Sequence, residues 1–231
     1  MNIYEIKQKL DEKEKAIFNL NEIARIIGKP KNITSVYLNR MSKKNLIFKL
    51  EKNKYSTTKD IFIISSQLTY PSYLGLSTSL YLQNKFSQVI NKIFVLTPKQ
   101  KKKTNILNTE IIFIKIKPSL MFGYKKIKKE NSYIFVSDLE KTIIDSLLYP
   151  KYARLNNLLE LIKESNVEKL IEYAVLTKKE IIIRKIGFLL DKANIPHQLK
   201  RKTKTIYKFN PKIKKGKFNN KWFLYVNEVF E

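Results

Sequence analysis

The pattern of apolar and polar positions predicts helices and a hairpin in the first quarter of the chain. Apolar residues recur at helical spacing in residues 1–17 and again in residues 19–27, which open with the Asn-x-x-Glu spacing of a capping box. A glycine and a proline end this second helix. A third helix is predicted to begin near Asn32, and two short strands at 46–48 and 54–56 form a basic hairpin after it.

Beyond residue 57 the pattern changes to alternating strands and helices, with no internal repeat or low-complexity linker. Ser137 with Glu140 and Thr177 with Glu180 have capping-box spacing and predict helix starts. Lysine-rich segments are predicted to be loops, among them 99–103 and 125–129. The other predicted elements are helices at 60–67, 76–84, 137–149 and within 155–194, and strands at 93–97, 110–117, 133–136 and 222–226.

Helix, turn, helix and hairpin in this order are typical of a winged helix-turn-helix. The predicted fold class is therefore α+β: an N-terminal winged helix-turn-helix, then a mixed α/β C-terminal domain with a small sheet and a helical bundle segment. The boundary is predicted at residues 57–60. This divides the chain into a DNA-binding domain at 1–58 and a C-terminal domain at 59–231, with a subdivision near residue 150.

In a winged helix-turn-helix the second helix of the motif enters the DNA major groove. Asn39 and Arg40 are expected to reach base edges, since Asn favours adenine and Arg favours guanine. The lysines and Ser35 are expected to hold phosphates. Helix pairs with a short turn also occur in all-α proteins that bind nothing, and that interpretation stays open. The candidate DNA-binding residues are Lys31, Asn32, Thr34, Ser35, Asn39, Arg40, Lys43, Lys52 and Lys54.

Charge strengthens the nucleic-acid interpretation. The 231 residues include 46 Lys+Arg against 20 Asp+Glu, a net charge of +26, which favours a polyanionic partner. Nearly all of the bases are lysines beside abundant Ile and Asn, so the codon bias of an AT-rich genome is an alternative source of part of this excess. A hydrophobic content of 43% is enough for a folded core.

The basic tail at 198–221 has ten Lys or Arg residues and no acid, and aromatic residues are interleaved with them. This composition suits phosphate contact with base stacking, and it suits equally a solvated loop with an aromatic strand that completes a core. The further candidate polyanion contacts are Lys101, Lys102, Lys103, Lys200, Arg201, Lys202, Lys214 and Lys215.

Catalytic chemistry finds little support. There is no cysteine for disulfides or thiolate metal sites, and His197 is the single histidine. Asp138 and Asp145, seven residues apart on one predicted helix, could hold a divalent metal, which leaves a metal-dependent nuclease or RNA-processing enzyme as an alternative. A non-catalytic protein-interaction module is a third hypothesis for the function. The prediction is a protein that is not an enzyme, without catalytic residues, metal or cofactor.

No stretch approaches the roughly 20 apolar residues of a membrane span. The first residues also lack the charged start and apolar middle of a signal peptide. A cytoplasmic protein with no membrane partner is expected.

Four stretches carry a resemblance to the AbiEi family, the antitoxins and transcriptional regulators of abortive-infection (type IV) toxin–antitoxin systems. Together they cover nearly the whole chain in order. Asp138 stands where the family pattern has a proline, and Asn84 where a glycine is common. The stretches are FNLNEIARIIGK with LNRMSKKNLIFKLEKNKYS, then YPSYLGLSTSLY, then KIKPSLMFGY leading into VSDLEKTIID, and finally GFLL with the closing Lys221-Trp222 strand.

The resemblance implies functions for both domains. It implies that the N-terminal domain represses its own operon by binding double-stranded DNA at repeated operator sites, expected as inverted repeats. It also implies that the C-terminal domain is an antitoxin domain that counters a nucleotidyltransferase-like toxin. A stable complex with that toxin is not required in this type of system.

Overall fold

The computed structural model describes residues 2–85 and 91–230. Its fold class is α+β, as predicted. The described chain divides into two compact units. The first contains residues 2–74, 91–116 and 125–136, and the second contains residues 75–85, 117–124 and 137–230. No helix in these described ranges combines the length and apolar character needed to cross a membrane.

The first unit begins with helices and a small sheet and continues into a larger sheet. Its first elements are α1 (Ile3–Asp11), β1 (Ile17–Phe18), α2 (Leu20–Ile27), α3 (Lys31–Lys43), β2 (Phe48–Glu51) and β3 (Lys54–Ser56). They are followed by α4 (Ile61–Gln67) and β4 (Tyr73–Leu74). Its other strands are β5 (Lys92–Thr97), β6 (Thr104–Ile106), β7 (Thr109–Lys115), β8 (Tyr124–Lys129) and β9 (Ser132–Ser137).

The apolar periodicity of the N-terminal segment produces a small closed core. Asn2 and Asn19 each form a complete capping box, with Glu5 and Glu22, at the starts of α1 and α2. Gly28 ends α2 in the left-handed conformation, with a φ of 65° that favours glycine. Strands β1, β3 and β2 form a three-stranded sheet beside the helices. The buried residues are Ile6, Leu10, Phe18, Ile23, Ile27, Leu38, Met41 and Ile47.

Among the described residues the larger sheet has six strands in the order β6-β7-β5-β4-β9-β8. Strands β5 and β7 are parallel and pair over their length, from Lys92↔Glu110 to Thr97↔Lys115. The predicted loop at 125–129 is wrong, since these residues lie in β8, and β6 was not predicted. Both strands lie at sheet edges. Four of the six residues of β8 are lysines, which are common at edges because they discourage pairing with other chains, so its composition resembles that of a loop. Strand β6 is only three residues long.

The second unit is mainly helical. It contains α5 (Ser77–Leu82), a 3-10 helix (Pro118–Leu120), α6 (Leu139–Leu148), α7 (Leu158–Lys163), α8 (Val167–Leu176) and α9 (Glu180–Lys192). These are followed by three short strands, β10 (Tyr207–Lys208), β11 (Lys217–Asn219) and β12 (Leu224–Val226). Strand β12 lies between the other two. Only β12 was predicted, because β10 and β11 are two and three residues long within a lysine-rich tail.

Two predicted helix starts are wrong in detail. The N-cap of α6 is Asp138, whose carboxylate accepts from the Lys141 backbone N–H at 2.8 Å, and not Ser137. Ser137 instead joins a buried hydroxyl group cluster with Thr142. Thr177 ends α8, and its hydroxyl donates to the Ala174 carbonyl. A short polar residue can satisfy backbone groups at either end of a helix, so spacing alone does not decide its role.

The tail is attached to α9 through Trp222 and Arg184. The buried Trp222 ring lies against Gly187, where an added Cβ would come within 2.2 Å of the ring. Its indole N–H donates to Asp191 at 2.6 Å. The buried Arg184 guanidinium donates to the backbone carbonyls of Thr203 and Thr205, each at 2.5 Å. The tail is therefore part of the folded unit.

We predict that Gly187→Ala lowers the free energy of unfolding by about 1–3 kcal/mol, because the new methyl group displaces the Trp222 ring. Helix propensity alone predicts the opposite sign, a gain of about 1 kcal/mol within α9. Urea denaturation measures the change. In a Trp222→Leu background the same alanine should be neutral or stabilising. Equal effects in both backgrounds would contradict the contact.

Candidate nucleic-acid interface

Helix α3 presents one solvent-exposed face. Asn32, Val36, Asn39, Arg40 and Lys43 are all exposed and recur at spacings of three and four residues, which places them on the same side of a helix. The opposite side is buried, and it carries Leu38 and Met41 of the N-terminal core. The outer face of α3 is therefore rigidly backed, with its polar groups directed to solvent.

Every charged residue on this face is basic. Helix α3 has no acidic residue, and Lys31 lies in its first turn, which has no side-chain cap. Free backbone N–H groups at such a helix start attract anions. Within the described part of the chain, the Arg40 guanidinium and the Lys43 ammonium have no ion-pair partner. Both groups are thus available to a ligand.

Thr34 is a correction to the candidate set. It is fully buried, and its hydroxyl donates to the Pro30 carbonyl at 2.9 Å, so it cannot contact DNA in this conformation. Its position one turn before Leu38 places it on the core side of α3. Ser35 is exposed, with its hydroxyl donating to the Lys31 carbonyl.

The β2–β3 hairpin supplies a second basic position. Its strands are 48–51 and 54–56, so the first lies two residues later than predicted. Lys52 is exposed at the two-residue tip. Asn53 adopts a φ of 60°, and its side-chain oxygen accepts from the Leu20 backbone N–H at 3.0 Å, which fastens the tip to the start of α2.

Lys54 is already engaged within the protein. Its ammonium donates to the Leu68 carbonyl at 2.8 Å and lies 3.3 Å from the Glu51 carboxylate. Lys101 binds the same carboxylate at 2.7 Å. Burial acts to raise the pKa of Glu51, but the hydrogen bond from Lys101 and the nearby positive charges lower it overall. These two lysines therefore stabilise the hairpin, and their predicted role as anion contacts loses support.

The remaining basic candidates differ in whether their charged groups already bind other groups of the protein. Lys103 pairs with Glu110 at 2.7 Å, while Lys102 is exposed. In the second unit, Arg201 stacks 4.0 Å from the Phe223 ring centroid and donates to the Lys221 carbonyl. The exposed lysines of the tail include Lys200, Lys202, Lys214 and Lys215.

Sequence reasoning missed two apolar residues on α3. Val36 is 49% exposed and Ile33 is 42% exposed, next to the polar candidates. Apolar side chains on a groove-reading helix contact the thymine methyl group. The signal was present in the spacing, because Val36 lies four residues from both Asn32 and Arg40, but an apolar residue is ordinarily assigned to the core.

No family model matches the sequence, and no curated protein matches it significantly. The fold is similar to that of solved structures. One of them is the crystal structure of the RV2827C protein from Mycobacterium tuberculosis, with a TM-score of 0.60 at 10% sequence identity. The match covers 95% of this chain and 89% of that chain, so the likeness in fold extends over most of both chains. At this identity the likeness concerns the fold alone.

The two carboxylates of the nuclease alternative are bound by lysines of the same unit. Asp145 is fully buried and accepts from the buried Lys141 ammonium at 2.5 Å. Asp138 caps α6, lies 2.8 Å from the Lys169 ammonium, and accepts from the Tyr173 hydroxyl at 3.0 Å. Burial, reinforced by the Asp138 charge, raises the pKa of Tyr173 to about 12. These contacts give both aspartates structural partners within the unit.

We predict that Asp145→Asn lowers the free energy of unfolding by about 3–5 kcal/mol, because it removes the negative charge that the buried Lys141 ammonium binds. Chemical denaturation measures the loss. The double variant Lys141→Met/Asp145→Leu should recover most of the stability, since it removes both charges. A stable Asp145→Asn protein would instead fit a functional carboxylate and contradict the structural assignment.

Proposed function

We propose that this protein is a DNA-binding transcriptional autorepressor and an antitoxin of the AbiEi type. The observation that supports DNA binding most directly is the outer face of α3, which combines amide, guanidinium, ammonium and apolar groups on one rigid surface without an acid. These are the groups that read base edges and hold phosphates in the major groove.

The arrangement around α3 supports a winged helix-turn-helix. A short turn at Gly28 joins α2 to α3, the β2–β3 hairpin follows, and β1 extends that hairpin to a three-stranded sheet. In this reading α3 is the recognition helix and Lys52 at the hairpin tip contacts the DNA backbone. Arg40 and Asn39 contact base edges. The phosphates are contacted by Lys31, Ser35 and Lys43, and Asn32 is a further DNA contact.

The antitoxin part of the proposal rests on the resemblance to the AbiEi family. Its most characteristic stretches have physical roles in the second unit. In VSDLEKTIID, Lys141 and Asp145 form the buried ion pair, and Glu140 accepts from the Asn166 backbone N–H at 2.8 Å at the start of α8. In GFLL, Gly187 accommodates Trp222. The stretches that carry the resemblance therefore also make contacts that stabilise the second unit.

The proposed partners are the protein's own operator, as inverted repeats, and a nucleotidyltransferase-like toxin that need not bind stably. The proposed location is the cytoplasm, where both are found. The interaction-module alternative differs in one measurable respect. Binding through phosphates weakens as salt rises, because counter-ions are released from DNA, whereas a protein contact has no such obligatory dependence.

We predict that Arg40→Ala weakens operator binding by about 1–3 kcal/mol and relaxes sequence preference at one base position, because a base-edge contact is lost. Binding to the protein's own promoter and to random duplex DNA, measured over a range of salt, separates the two effects. Equal losses on both DNAs would contradict base reading by Arg40.

Lys43→Ala provides the matched comparison on the same helix. It should weaken binding to both DNAs alike. It should also reduce the slope of log affinity against log salt concentration by about 1, as expected for one phosphate contact. Lys54→Ala should change the salt slope little, since its ammonium is bound within the protein. Absence of any salt-dependent duplex binding would overturn the proposed DNA-binding function.

A further inference from the structure

An exposed aromatic surface lies on the small sheet of the second unit. Strands β11 and β12 pair Phe218 directly with Tyr225, and β10 places Lys208 beside Tyr225 on the other side. Residues opposite one another in neighbouring strands lie on the same face of a sheet. Phe218 and Tyr225 are each 41% exposed. We call this row of three side chains, Lys208, Tyr225 and Phe218, the sheet platform.

The platform has an aromatic extension. The Phe223 ring lies 5.6 Å from the Phe218 ring, and the Phe218 and Tyr225 rings are 5.2 Å apart. The Arg201 guanidinium stacks on the Phe223 ring and is fixed by hydrogen bonds to backbone carbonyls. Three aromatic rings and one guanidinium group therefore lie next to one another on this surface.

The opposite face of the sheet packs against the core of the second unit. Leu224 is fully buried, and Phe209 and Trp222 are buried in the core of the second unit. Arg184 also binds the tail through two carbonyls. The sheet is therefore anchored from beneath, so stacking on it requires little further loss of conformational freedom.

We propose that the sheet platform binds single-stranded RNA through base stacking on Tyr225 and Phe218. Aromatic rings bind the faces of unpaired bases, which are covered inside a duplex. The surrounding charge selects a polyanion, because residues 198–221 contain ten basic residues and no acid. RNA is chosen over DNA because unpaired loops and ends are a regular feature of RNA.

This site differs from the α3 face in both chemistry and residues. The α3 face offers hydrogen-bonding groups for base edges, whereas the platform offers rings for base faces and Lys208 for phosphate. It therefore does not depend on the proposed repressor function. Each surface can be tested in the full-length protein with the other left intact.

The test is fluorescence anisotropy of the full-length protein with a labelled, unstructured RNA of twelve nucleotides, at fixed salt. The same sequence as single-stranded DNA and as an RNA duplex provides the comparison. We expect the single-stranded RNA to bind most tightly. Tyr225→Ala should weaken it by about 5- to 150-fold, which is the loss of one stacked base.

Three variants act as controls. Tyr225→Phe should retain binding because it keeps the ring. Leu176→Ala, at a residue of the same unit that is 45% exposed, should leave binding unchanged. Arg40→Ala should also leave RNA binding unchanged even where it weakens operator binding, so failure of either function is distinguishable from failure of the other.

Several results would overturn the proposal. They are equal affinity for the duplex, equal or tighter binding of single-stranded DNA, or unchanged RNA binding by folded Tyr225→Ala. Sedimentation provides a further test of the same face. If Tyr225→Ala converts a dimer into a monomer and leaves RNA binding intact, the platform is an interface between copies of this chain.

Discussion

With 46 basic residues against 20 acidic ones, more than half of the cations in this chain cannot have a carboxylate of their own. Two of the acids that form ion pairs join different segments of one unit. Glu51 holds Lys101 and Lys54 at the hairpin, and Asp191 holds Lys221 beside Trp222. The surplus of positive charge is left on solvent-facing surfaces. Self-repulsion there is reduced most effectively by a polyanion, so the charge balance connects the fold with its proposed partners.

Two lysines of the second unit, Lys141 and Lys185, are buried in its interior. Lys141 and Asp145 are both fully buried, which is costly unless the two groups compensate one another. Lys185 is also buried, and its ammonium donates to the Leu147 carbonyl at 3.2 Å. Burial lowers the pKa of Lys185 to about 8. Codon bias can raise the number of surface lysines, but it does not explain lysines placed with such partners.

The sequence predicted the elements with strong periodicity and local caps, and it failed where tertiary position decides. Helix α2 was predicted with its capping box and its glycine stop, because both signals are local. Strand β8 was missed because lysines at a sheet edge look like a loop. Thr34 was misassigned because residue type predicted exposure where the rotation of α3 decides it, and for the same reason Val36 was left out of the candidate residues. Base stacking by the tail was one of two interpretations of its composition, but the pairing of Phe218 with Tyr225 was not predicted, because β11 is only three residues long within a lysine-rich segment.

The two proposed surfaces present different chemistry to nucleic acid, and the difference follows from secondary structure. A helix is narrow enough to enter the major groove, and side chains such as Arg40 project from it toward base edges. A sheet is too broad for such entry unless it is a two-stranded ribbon, but it holds neighbouring rings such as Phe218 and Tyr225 at spacings of about 5 Å. Stacking requires base faces that a duplex does not expose. The helix therefore suits paired DNA and the sheet suits unpaired strands, so a single basic chain can discriminate between two nucleic acids by shape as well as by charge.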